Sequence, residues 1–221
     1  PGVEVRLAQH AAIDARGVLT AVGTADKQIL FTGSTQQPGW WENIAIAGLS
    51  GAQNTTSILE YVTLEYGGEA YANLYLYEAD VQVRHATIRH SGGDGIYGGN
   101  RGVAHVSDTT FANNGAGLQN YPIRYSDGQV NPVFANITAT GNGIDAIALG
   151  SGELTGTHVW ENVGLPYVLM GDTRIAVGAS LTIQPGLAIR FAQHAALDAR
   201  GTLTAVGTAA APILFTGTTQ Q

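Results

Sequence analysis

VTLEYGG (62–68), ATIRHSG (86–92), TTFANNG (109–115), ITATGNG (137–143) and HVWENVG (158–164) align end to end, and together they decide the fold. Each closes on a glycine, and Gly68, Gly92, Gly115, Gly143 and Gly164 follow one another at spacings of 24, 23, 28 and 21. The first five residues of each segment alternate, which is the period of a strand whose successive side chains leave opposite faces. The alternation predicts Val62, Leu64 and Tyr66 inward, with Thr63 and Glu65 outward. It predicts Ala86, Ile88 and His90 inward with Thr87 and Arg89 outward, then Thr109, Phe111 and Asn113 inward with Thr110 and Ala112 outward. Leu64, Ile88, Phe111, Ala139 and Trp160 share the central inner position.

No stretch keeps an i, i+3, i+4, i+7 apolar pattern over ten residues. AHVSDTTFANN (104–114) and AQHAALDAR (192–200) come nearest, and β-branched residues or flanking strand signals interrupt both. A propeller blade needs about 40 residues, and a sandwich gives no such register between successive segments. The pattern predicts an all-β chain wound as a three-faced parallel β-solenoid, with about 9–10 rungs of roughly 23 residues across its 221 residues. Stacked rungs set equivalent residues in ladders. Glu65 is expected beside Arg89, Asn114 beside Asn142 through their amides, and the closing glycines at corners with positive φ.

A longer repeat overlies the short one. PGVEVRLAQHAAIDARGVLTAVGTADKQILFTGSTQQ (1–37) returns as PGLAIRFAQHAALDARGTLTAVGTAAAPILFTGTTQQ (185–221), with 27 of 37 positions identical at an offset of 184. Residues 1–221 therefore read as one continuous β-helix, in which 1–184 is one unit and 185–221 the start of a second copy. A tandem array of such units is expected. The opening Pro1-Gly2, without Met, suits a processed product or a fragment.

Composition narrows the partners. The net charge is −7, and the single lysine, Lys27, belongs to no basic cluster. Nucleic acid and anionic membrane surfaces are therefore not expected partners. No apolar run approaches the roughly 18 residues of a spanning helix. With 0 Cys there is no disulfide framework, thiolate metal site or thiol nucleophile.

LTIQPGLAIRF (181–191) followed by LDARGTLTAVGTAAAPILFTG (197–217) resembles the opening segment of right-handed parallel β-helix proteins of bacterial surfaces and secretomes, the pectate-lyase-like superfold. The likeness rests on an apolar strand, Pro-Gly, a strand ending Arg-aromatic, a strand ending Gly-Thr, and Pro-Ile-x-Phe-Thr. Residues 1–33 carry the same pattern with Gln28 in place of Pro212, and SILEYVTLEYGG (57–68) and DTTFANNGAGL (108–118) match the family's rungs. The resemblance implies a right-handed coil and an extracellular or cell-surface location. Function stays open, because this scaffold carries lyases, hydrolases, adhesins and passive stalks.

Enzymes of this type cluster two or three aspartates with Arg, Lys or His, because polysaccharide cleavage needs an acid and a base or nucleophile about 5–9 Å apart. Asp94 and Asp108, with Arg89, His90 and Arg101, are the local candidates, yet no Asp-x-Asp, Asp-Asp, Gly-His-Gly or Arg-x-Lys occurs. Asp94, between Gly93 and Gly95, reads as a turn residue. His10 and His194 are one position in two copies and read as scaffold. His85, His90 and His105 lack the companions of a metal site. SGGDGIYGG (91–99) does not fit the calcium-binding nonapeptide. Of the outward pairs Thr63/Glu65, Thr87/Arg89, Thr110/Ala112 and Thr138/Thr140, one rung in four is Thr-x-Thr and charges interrupt the face, too little for ice binding. Trp40, Trp41, Trp160 and the tyrosines 61, 66, 71, 75 and 77 are assigned to core and ladder packing, with a carbohydrate-stacking strip as the alternative. The sequons at Asn54 and Asn136 are taken as chance.

Three classes of function compete. A non-catalytic structural stalk or filament, stacking on itself end to end, leads. A polysaccharide lyase or hydrolase comes second, and a surface adhesin or carbohydrate-binding module third. No catalytic, cofactor-binding or metal residue is assigned.

Overall fold

A strand that alternates apolar and polar residues buries only one face. A single turn of such strands leaves its backbone edges unpaired, so turns must stack to satisfy both demands. The computed structural model describes residues 1–48, 54–115 and 117–218, with residues 54–56 described by backbone alone, and in it the chain coils as a parallel β-solenoid of about nine turns. No helix occurs among the described residues.

The strands fall into three columns. The first runs Glu4–Leu7, Ile29–Gly33, Val62–Glu65, Thr87–Arg89, 109–112, 137–140, Thr157–Trp160, Ser180–Ile183 and Thr202–Ala205. The second runs Ile13–Ala15, Ile44–Ala47, Ala72–Tyr77, Asp94–Gly99, Ile123–Asp127, 147–151, Tyr167–Leu169, Ala188–Phe191 and Leu214–Gly217. The third runs Thr20–Val22, Asn54–Glu60, Ala79–Arg84, 103–107, 134–135, 152–154, Thr173–Ile175 and Leu197–Ala199. The strands Val103–Ala112, Phe134–Thr140 and Ile147–Leu154 each bend through a corner and serve two columns.

The inner ladders follow the sequence register. Phe31, Leu64, Ile88, Phe111 and Ala139 are successive partners, and Phe111 and Trp160 are buried as expected. In the second column Ile44, Leu74, Ile96, Ile123, Ile147, Tyr167 and Ile189 form an unbroken buried row. Each fully buried Leu, Ile or Phe of this kind contributes about 1.5–3 kcal/mol. Tyr125 sits inside the coil beside Gly98, where a Cβ would lie 2.5 Å from the tyrosine Cδ1. Its hydroxyl donates to the Ala104 carbonyl at 3.0 Å.

Several local expectations need correction: Tyr66, His90 and Asn113, predicted inward, turn at left-handed corners instead, the first two half-buried and Asn113 exposed. Glu65 points outward in the alternation, yet it is buried, because Thr32 Oγ1 donates to it at 2.9 Å and Arg89 Nε at 2.7 Å. The partnership with Arg89 is as expected; the solvent exposure is not. Corners are made chiefly by non-glycine residues in the left-handed region. Tyr61, His85, Asp108 and Asn136 (φ 48–51) precede the first column, and Tyr66, His90 and Asn113 (φ 51–65) follow it. The closing glycines Gly68, Gly115 and Gly164 are left-handed, but Gly92 and Gly143 are not. Those two serve close approach, since a Cβ on Gly92 would lie 2.8 Å from Gly39 Cα and one on Gly143 would overlap the Leu118 carbonyl oxygen. Asp94, finally, is no exposed turn residue. It opens a strand and is buried.

The two copies of the long repeat occupy different columns. Glu4–Leu7 lies in the first column of the first turn, and its counterpart Ala188–Phe191 lies in the second column of the eighth. Ile13–Ala15 and its counterpart Leu197–Ala199 are likewise displaced, from second column to third. An offset of 184 residues thus equals seven turns and one face, so each copy is rotated by a third of a turn about the axis.

Candidate functional site

The catalytic candidates do not converge. Asp94 begins a second-column strand, whereas Asp108 sits at the corner before the first column. Asp94 Oδ1 accepts from the Tyr121 backbone N–H at 2.6 Å, and its Oδ2 lies 3.0 Å from Arg124 Nε. Burial pushes this carboxyl up to about 6, against the opposing pull of the Arg124 guanidinium and of hydrogen bonds from Tyr121 and Asn120. Arg124 also lies 5.0 Å from the centre of the Tyr121 ring. Asp108 instead accepts from the Asn136 side chain at 2.9 Å and lies 3.9 Å from His85. Arg89 is held by Glu65, and Arg101 lies 3.8 Å from Glu78. Each of these charges is occupied within its own ladder.

The histidines are dispersed too. His85 stacks on Tyr61 and His90 on Tyr66, both at corners, with centroids 4.6 and 5.2 Å apart. Burial, then the neighbouring Arg89, lowers the His90 pKa. His105 pairs with Asp80 at 3.0 Å, and His10 with Glu69 at 2.6 Å. No group of three His, Cys, Asp or Glu suited to a metal ion occurs among the described residues.

Asn114 and Asn142 form the expected amide ladder inside the corner. Asn114 Nδ2 donates to Asn142 Oδ1 at 2.8 Å and to the Ile88 carbonyl at 2.9 Å, while its Oδ1 accepts from the Ser91 N–H at 3.2 Å. Asn73 fills a similar role two turns earlier, accepting from the Gly67 N–H at 2.8 Å. Asn136 is a corner residue bonded to Asp108, and the side chain of Asn54 lies outside the described residues.

The tyrosines divide. Tyr61 and Tyr66 pack in corner ladders as expected. Tyr71, Tyr75, Tyr77 and Tyr97 do not enter the core; they stand on the outside of the second column. Tyr71 is 57% and Tyr77 41% exposed. Tyr71 lies 5.0 Å from Tyr75 and 5.1 Å from Tyr97, ring planes within 28°. Burial and the neighbouring tyrosines raise the Tyr75 pKa. The signal was present in ANLYLY (72–77): with Leu74 and Leu76 inward, Tyr75 and Tyr77 must face out.

Register turns this strip into the wall of a cleft. The outward partner of Tyr75 on the preceding turn is Ala45, that of Tyr77 is Ala47, and Ala45 is followed by Asp14. The drop from tyrosine to alanine leaves an open cleft of about 600 Å3 between the tyrosines and the Asp14/Arg16 ion pair, lined also by Glu42 and Asn43. No protein-family model, curated protein or solved structure matches this chain.

Proposed function

We propose that this chain forms a non-catalytic extracellular rod of the bacterial surface type, in which 184-residue units continue one another as a stalk or filament. The carrying observation is the relation between the two repeat copies. Phe31 is 6% exposed because the next turn covers it with Leu64. Its counterpart Phe215 stands in the second column, paired with Ile189, so the same strand sequence is seated in two different columns. A further unit in the register of these two copies, covalent or from a second chain, would pair with Leu214–Gly217 as Val62–Glu65 pairs with Ile29–Gly33. An apolar parallel edge of this kind favours strand addition, and head-to-tail contacts that do not close give filaments.

Light scattering and negative-stain imaging test the assembly. The expected result is end-to-end rods that lengthen with protein concentration. A monodisperse monomer at millimolar concentration, with Phe215 covered by the chain's own residues, would overturn it. The non-catalytic part is tested separately by incubation with pectin and alginate. Cleavage that disappears in the Asp94→Asn, Asp108→Asn double variant would make the chain an enzyme.

A further inference from the structure

We propose that the cleft beneath Tyr75 binds a neutral oligosaccharide of two to three pyranose rings. The site does not depend on the assembly proposed above. Three features select this ligand.

The first is the wall. Tyr75 packs against the rings of Tyr71 and Tyr97, and on the preceding turn its partner is Ala45, so the ladder of rings does not continue there and Tyr71 and Tyr75 both line the cleft. Tyr77 adds a second ring above Ala47. Exposed aromatic rings are costly to leave wet and present flat apolar faces. The apolar face of a pyranose matches such a ring, while its hydroxyls stay at the ring's edge.

The second feature is size. About 600 Å3 is mid-range for a small-ligand site, and its length along the axis spans the turns of Tyr75, Ala45 and Asp14. Those two steps amount to about 10 Å at the spacing of neighbouring strands, the reach of two linked sugar rings.

The third is charge. The rim carries Asp14, Glu42 and Arg16, two carboxylates against one guanidinium, in a chain of net charge −7. Carboxylates accept hydrogen bonds from sugar hydroxyls. The same charges repel uronic acids, sulfated glycans and phosphates. A proline-rich peptide also docks on aromatic grooves, but it brings few donors for two carboxylates. A neutral saccharide meets all three features.

Calorimetric titration of the whole chain with chitotriose and cellotetraose tests the site, with tetragalacturonate and decaproline as comparisons. At least one neutral saccharide should bind, more tightly than either comparison. Tyr75→Ala should weaken it by about tenfold or more. Ala45→Tyr should abolish binding by continuing the tyrosine ladder into the cleft. Because residue 45 faces outward and is partly exposed, its melting temperature should stay near that of the unmodified chain. Absence of binding by both neutral sugars would overturn the proposal. So would tighter binding of tetragalacturonate or decaproline, or unchanged affinity in both variants.

Discussion

At the scale of single residues, the buried carboxyl of Asp94 gives the sharpest pH signature. Its folded pKa, raised to about 6, lies above the ordinary 3.8, so the native state holds the proton more tightly than the unfolded chain. The resulting stabilisation is complete below pH 3.8 and is lost as pH rises through 6. A rise of that size corresponds to about 3 kcal/mol. Urea denaturation of the native chain and of Asp94→Asn should therefore show a stability difference that moves against the native chain by about that amount between pH 4 and pH 7. A difference independent of pH would sink the assignment. Phe111 makes the second residue-scale test. It is fully buried between Ile88 and Ala139. Phe111→Ala should cost about 3–5 kcal/mol in the same assay, and a loss below about 1 kcal/mol would mean that the interior collapses into the cavity freely. Such inward positions were legible because alternation fixes them. Glu65 was not, since alternation records direction along the strand and not whether a neighbouring turn supplies Thr32 and Arg89 to satisfy a buried carboxylate.

At the scale of the element, corners and columns are held by side chains that bond across turns. Asn114 satisfies the Ser91 N–H, the Ile88 carbonyl and Asn142 at once. Asn114→Ala strips all three partners inside the coil, and each buried polar group left unpaired costs about 1–3 kcal/mol. The expected outcome is a loss of at least about 3 kcal/mol and a local rise in hydrogen exchange at the Ser91 amide. Exchange at Ser91 that matches the unmodified chain would show that water or a neighbouring group replaces the asparagine. This ladder was readable from the shared spacing of NNG and GNG within the aligned segments. The corners themselves were read less well. Glycine is the usual residue for positive φ, yet Tyr61, Tyr66, His85 and His90 adopt it here. Stacking of each ring on the corresponding ring of the next turn, Tyr61 on His85 and Tyr66 on His90, offsets part of that strain. Pattern matching within one turn contains no record of such a neighbour. The same limit hid the cleft, which exists only because Ala45 lies one turn below Tyr75.

At the scale of the whole molecule, the decisive quantity is the mismatch between the long repeat and the turn. A unit of whole turns would place identical residues on one face of the rod, giving it a sided surface. Here the unit covers seven turns and one face, so successive copies are rotated by a third of a turn. In the proposed array three units would close the pattern after 22 turns, and any residue outside the coil would be displayed on all three faces in succession. With strands about 4.8 Å apart along the axis, one unit advances about 35 Å and three advance about 105 Å. Cryo-electron microscopy of a chain carrying three or more units should therefore show a straight rod with an axial rise of about 35 Å per unit and a rotation near 120°, modified by the twist of the coil. The tyrosine cleft would recur at that rise, on a new face each time. The physical basis is pairing: Ala188–Phe191 is already seated on Tyr167–Leu169 in the second column, although its first copy pairs in the first. The same strand sequence is thus accepted by two different columns, which a continuous array with this offset requires. An array whose units superpose by translation alone would contradict the register of the two copies and with it the helical symmetry derived from them.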